Sequence, residues 1–149
     1  MTKSLLVPAL LLSFALPASA ASWMWIGLPD GERYLTEVME TPDERARGLM
    51  YRKQMADDRL MLFHYNRDGV YKLWMKNCLF PIDVAWTDRY GQVLAVETAL
   101  PPCEREPCPV YGPDGVSRYF IEGPTGWLER GGVTPGDHLE LGPHTASPP

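Results

Sequence analysis

A mainly β (α+β) fold, a small, partly open β-barrel with two short helices, is what this 149-residue chain predicts. Short apolar runs recur along it at regular spacing, each bounded by Gly, Pro, Asn or Asp. Only two stretches carry helix start and stop signals, and both are brief. No repeat and no linker interrupts the pattern, so the strands share one core. They are few and turn sharply, which favours a barrel over a sandwich, with the helices covering its ends.

The first twenty residues stand outside that fold. Lys3 supplies a positive start, Leu5 to Leu16 an apolar run, and Ala18-Ser19-Ala20 the small-x-small pattern of a signal-peptidase site. The run is shorter than the ~20 residues of a membrane-spanning helix, and no Cys follows the cleavage point to carry a lipid. The expectation is a signal peptide over 1–20, a globular domain over 21–142 and a disordered tail over 143–149. It makes the protein periplasmic or secreted, with no stable membrane anchor after cleavage. Taking twenty from 149 leaves 129 residues, enough for one core, and losing Lys3 moves the formal charge from −5 to −6. A mildly acidic domain without basic clusters argues against nucleic acid as a partner.

Within the domain, residues 21–30 are aromatic and then turn-forming, with Trp23, Trp25 and Ile26 placed to cover a core edge. Residues 33–40 alternate as a first strand. Thr41-Pro42-Asp43-Glu44 is a helix start: Thr41 caps, Pro42 fits the first position and Glu44 completes a capping box. Gly48 stops that helix after about two turns. Leu60 to Phe63 is a compact strand, residues 66–69 a turn, and Val70 to Asn77 the next strand. Ile82 to Thr87 and Gln92 to Leu100 form a hairpin. Residues 101–115 are irregular and rich in Pro and Cys, and residues 118–122 return to strand. Thr125 or Gly126 opens the second helix through Arg130, and His138 to Leu141 is the last strand.

Cys103 and Cys108 bracket a Pro-restricted loop; in an oxidising compartment they predict a local disulfide worth ~2 kcal/mol. The rival is a soft-metal site using both thiolates and a methionine. Neither Cys-x-x-Cys nor a paired-histidine motif supports it, so no metal and no cofactor is expected. Cys78 is left as a buried free thiol.

Candidate function centres on the apolar stretch LWMKNCLFPIDVAW, which carries Lys76, Asn77 and Asp83. Matching Ile82, Val84 and Trp86 with Leu94 and Val96 pairs Val84 with Leu94 and Ile82 with Val96, around an Asp88-Arg89-Tyr90 loop. Asp83 and Glu97 then become diagonal neighbours on one face, ~7–8 Å apart, with Ala85 and Ala95 leaving room above them. Trp74 between Lys72 and Lys76 suits a partly exposed face that meets a sugar ring or a cation. The plainer alternatives are that Asp83 and Asn77 hold backbone amides and that Lys76 neutralises Asp83. Arg47, ending the first helix, can clamp a carboxylate or brace Asp83, and bracing is the simpler reading.

RGLMYR, MLF, WMKN followed by PIDVAW, a Gly-x-Val strand, CxxxxCPVY and the closing PGD together resemble one exported bacterial and archaeal family, domain of unknown function 192. The resemblance runs from Tyr34 to Leu141. It implies a mostly β single domain with short helices and implies no activity. Leu60 stands where the family often has Gly, and Cys78 where Thr is usual, which replaces a hydroxyl bond by a thiol.

The resulting expectation is an exported binding module for a small polar ligand, a saccharide or another envelope component, acting through Trp74, Lys76, Asn77, Asp83, Glu97 and Arg47. The alternative is a hydrolase using Asp83 and Glu97 as a carboxylate pair. No nucleophile motif accompanies that pair.

Overall fold

The structure, a computed structural model, describes residues 21–148; the expected signal peptide lies outside them. Nine strands and two helices follow in the order β1 (Ser22–Gly27), β2 (Arg33–Met39), α1 (Pro42–Arg47), β3 (Arg59–Gly69), β4 (Leu73–Trp74), β5 (Ile82–Thr87), β6 (Val93–Leu100), β7 (Val110–Tyr111), β8 (Ser117–Pro124), α2 (Trp127–Arg130) and β9 (Glu140–Leu141). Seven strands make one sheet in the order β6-β5-β8-β3-β2-β1-β9, and β4 pairs with β7 in a separate two-stranded arm.

The sheet curls into a half-barrel. Its β6 edge is tied at one end to the segment before β9: Val93 N–H donates to the Asp137 carbonyl at 2.8 Å and Leu139 N–H to the Gly91 carbonyl at 2.9 Å. A β bridge joins Gln92 to His138 there. Beyond that tie the described residues leave the β6 edge unpaired, so the barrel is partly open, as the strand count predicts.

Pairing is antiparallel except between β2 and β3, which run parallel because α1 lies in the connection between them. The helix starts as its sequence dictates. The Thr41 side chain accepts from Glu44 N–H at 3.2 Å, and the Glu44 carboxylate accepts from Thr41 N–H at 2.8 Å. Those bonds hold the Glu44 carboxyl below its ordinary range, the Thr41 backbone bond first.

Both faces of the sheet are covered. One carries Ile26, Val38, Leu60, Leu62, Ala85, Ile121 and the α2 residues Trp127 and Leu128. The other carries Met61, Phe63, Val84, Trp86 and Phe120, closed by Leu49 after α1 and by Leu73 and Met75 of the β4 arm. Trp86 Nε1 donates to the Tyr71 carbonyl at 2.9 Å and fastens that arm.

Several expectations change. Residues 22–27 are a paired strand rather than an edge cover. β3 runs through the turn expected at 66–69, and the expected strand 70–77 shrinks to Leu73–Trp74, because its partner is only the two-residue β7. The tail is pinned as far as Thr145, which exchanges backbone hydrogen bonds of 2.7 and 2.8 Å with Trp23.

The hairpin register also differs from the prediction. Val84 pairs with Glu97, Ala85 with Val96, Trp86 with Ala95 and Thr87 with Val93, with irregularities between Ile82 and Val84 and between Trp86 and Thr87. All six β5 residues are buried, so its alternation carries no information about which face is inside.

Candidate functional site

Asp83 and Glu97 lie on opposite faces, since Glu97 is opposite Val84 and directly opposed residues share a face. The proposed carboxylate pair, and the hydrolase reading built on it, are thereby overturned. Asp83 is 1% exposed. Its Oδ1 accepts from Ala99 N–H at 2.8 Å and its Oδ2 from Gly126 N–H at 2.7 Å, while Trp127 Nε1 donates to its carbonyl at 3.0 Å. Ala99 and Gly126 both have positive φ, 50° and 90°. Asp83 thus anchors two unusual backbone turns, and neither Arg47 nor Lys76 touches it. Glu97 is solvent-exposed on the edge strand.

Three of the predicted site residues do come together. Arg47, Trp74 and Lys76 line a cleft of about 170 Å³ between the end of α1, the β4 arm and the sheet face bearing Phe63 and Phe120. Gly48 permits it: with φ 44°, it turns the chain where a Cβ would meet the Phe63 ring at 2.8 Å. Trp74 is 49% exposed, and the Lys76 ammonium lies 5.3 Å from its ring centroid. Lys76 also pairs with Glu106 at 2.5 Å. Glu106 belongs to the Cys103–Cys108 disulfide loop, and Cys103 N–H donates to the Met75 carbonyl, so the loop is fixed to the rim.

Asn77 sits beside the cleft as a brace. At φ 57° its carbonyl accepts from Tyr51 N–H, and its Nδ2 donates to Tyr51 Oη at 2.8 Å.

The residue that escapes the sequence reading is Glu122. It follows Phe120 on the same face of β8 and lines the cleft, yet is only 6% exposed. Among the described residues no hydrogen-bond partner reaches its carboxyl. Burial pushes its pKa up to about 8, against which the nearby Arg52 guanidinium pulls down. Arg52 is itself engaged, gripping Glu37 with two hydrogen bonds of 2.7 Å that raise its own pKa. Register places Glu37, Met61, Glu122, Val84 and Glu97 in one row across the sheet.

Cys78, the free thiol, lines the same cleft, and its pKa is pushed to about 12 by burial and then by Glu122. That makes it a neutral thiol rather than a nucleophile. Four cationic side chains, Arg45, Arg47, Lys72 and Lys76, line the cleft against one acid. Arg45 is committed to the Glu40 and His64 carbonyls and the Tyr65 ring. Lys72 has only a 3.9 Å contact with exposed Asp114, and no ion pair engages Arg47 among the described residues.

A second cavity, about 190 Å³, lies between His64, Arg89, Tyr119 and His144. There His144 is paired with Glu40 at 3.1 Å, and burial first and then His144 lower the His64 pKa. Among the described residues no cluster of three or more His, Cys, Asp or Glu forms that could hold a metal ion. No helix there is long and apolar enough to cross a membrane.

The model of the DUF192 family, described as "Uncharacterized ACR", matches residues 27–141. This chain belongs to the DUF192 family. No curated protein matches it significantly. Among solved structures, one from Sinorhizobium meliloti 1021, named provisionally as a transcription regulator, is similar at 29% identity and TM-score 0.73. The match covers 85% of this chain and 98% of that one. A protein of unknown function from Novosphingobium aromaticivorans is similar in fold, at 24% identity and TM-score 0.69, covering 93% and 98% of the two chains. Both structures share the half-barrel fold described above.

Proposed function

We propose that this DUF192 protein is an exported cell-envelope binding module whose ligand site is the cleft floored by Glu122. One observation carries the reading: a buried carboxyl without a partner faces an open cavity instead of the packed core. The carboxyl is reached from outside only through the cleft, so whatever occupies the cleft meets it. The rim supports the same reading, with half-exposed Trp74 offering an apolar plate and Arg47 free to engage a ligand. Among the described residues neither a nucleophile nor a carboxylate pair accompanies Glu122 in the cleft, and the raised thiol of Cys78 does not supply one. Binding therefore fits the site better than catalysis.

Export is part of the proposal. It is supported by the n-region, apolar run and Ala-x-Ala at the start of the sequence. The Cys103–Cys108 disulfide also suits an oxidising compartment.

Screening small polar compounds by NMR tests the site. Binding should perturb the amides of Gly48, Trp74, Lys76 and Glu122 together, and perturbations confined to other surfaces would remove the cleft from consideration. N-terminal sequencing of the protein recovered outside the cytoplasm tests export: Ala21 is the expected first residue, and a chain still starting at Met1 contradicts it.

A further inference from the structure

We propose that the cleft is built for a small organic acid of single-ring size, held by its carboxylate at Arg47 and Lys72 and by a hydroxyl or carbonyl at Glu122; this rests on the binding reading of the cleft. Size sets the first limit. A cavity of about 150 Å³ holds a benzene ring, so a cleft of about 170 Å³ has room within its walls for one ring or a short chain. The walls set the second, because Phe63, Phe120 and Tyr65 present aromatic surface to whatever enters.

Charge sets the third limit. Arg47 and Lys72 are the two rim cations without a close acidic partner, since the Lys72 contact with Asp114 is 3.9 Å long and exposed. A guanidinium and an ammonium lining one cleft favour a carboxylate by charge-assisted hydrogen bonds. The same pair, with Arg45 and Lys76 also lining the cleft, repels a ligand ammonium. A neutral sugar would leave both rim cations unused.

Glu122 completes the set. In its protonated form it offers one O–H donor and one acceptor to a neutral polar group and does not repel an acid. The titratable and charged groups around it are Arg52 with its partner Glu37, Cys78, Tyr65, and the cleft cations Arg45, Arg47, Lys72 and Lys76. Burial raises Tyr65 and Cys78, so both remain neutral through the range in which Glu122 ionises. As pH rises past about 8, Glu122 loses its donor and gains a charge that opposes the acid. Affinity should fall there.

The test uses the whole protein and four probes followed by NMR titration: 4-hydroxybenzoate, its neutral counterpart 4-hydroxybenzyl alcohol, its cationic counterpart 4-hydroxybenzylamine, and inorganic phosphate. The acid is expected to bind in the cleft at least about tenfold more tightly than the alcohol. Arg47→Ala, at an exposed position, should erase that preference while leaving the alcohol unchanged, and Lys72→Ala should reduce it. Glu122→Gln keeps a neutral donor and acceptor, so it should retain acid binding and lose the decline above pH 8. Equal or tighter cleft binding of the alcohol or the amine overturns the acid class and leaves the cleft as a binding site. Phosphate binding as tightly as the acid overturns the ring-sized ligand in favour of a bare anion site. If no probe moves the cleft resonances, the acid proposal falls, while the binding reading stands or falls on the broader compound screen.

Discussion

Two carboxyls one register position apart have opposite fates in this sheet. Asp83 on β5 lies opposite Gly123, and Glu122 on β8 lies opposite Val84, so they occupy adjoining positions on different faces. Both are buried. Asp83 fills both oxygens with backbone N–H groups and holds two turns, whereas Glu122 has Arg52 nearby and no hydrogen bond among the described residues. Burial therefore does not distinguish a structural acid from a site acid. What distinguishes them is whether the protein itself satisfies the group, and the proposed ligand site rests on Glu122 because the described residues give it no hydrogen bond.

The largest expected effect breaks the first half of that contrast. Asp83→Asn preserves shape but keeps only one acceptor, leaving the part-buried Ala99 or Gly126 N–H without its partner. A loss of about 3 kcal/mol in denaturant unfolding is expected. A loss within experimental error would mean that Asp83 does not hold those turns.

Glu122→Gln sharpens the second half. A carboxyl whose folded pKa lies near 8, above its unfolded value of 4.5, holds a proton in the native state that the unfolded chain has released. Stability contributed by this group thus falls as pH rises between those values, by on the order of 1 kcal/mol per pH unit, and levels off above about 8. Denaturation midpoints of the Gln variant should lack this decline and exceed those of the natural protein at pH 9. Equal slopes for the two proteins would contradict it.

Removing the disulfide with Cys103→Ser and Cys108→Ser together should cost about 2 kcal/mol for so small a ring. It should also loosen Glu106 from Lys76, and amide hydrogen exchange at the rim would report that change while Asp83 and its turns stay protected. Thr41→Ala, at the start of the helix that presents Arg47, should cost about 1 kcal/mol by thermal unfolding. Its effect should remain on the cleft side of the sheet.

The same contrast explains what the sequence reveals. Strand Ile82–Thr87, the Thr41 capping box and the Cys103–Cys108 bridge are legible because each rests on residues close in the chain. Trp74 and Lys76 are legible as a lysine-flanked aromatic and a charge unsuited to a core strand, and Arg47 as the basic end of a short helix; the three meet in the cleft. The hairpin register is hidden because β5 is buried on both faces, so Ile82, Val84 and Trp86 match Ala95 and Glu97 as readily as Leu94 and Val96. Glu122 is hidden for a different reason. In RYFIEGP it reads as the polar end of a strand, and only the α1 end and the β4 arm, distant in sequence, turn that position into a cavity floor. The alternation from Phe120 to Glu122 is the one local sign that the acid shares a buried face.

The most direct test of the central claim is the titration of the Glu122 carboxyl, followed by the ¹³C chemical shift of its Cδ in the ligand-free protein. A midpoint near pH 8, moving when a ligand occupies the cleft, is the predicted result. A midpoint at or below 4.5 would show a carboxylate already satisfied by the protein, and Glu122 would then be a second structural acid like Asp83 rather than the floor of a binding site.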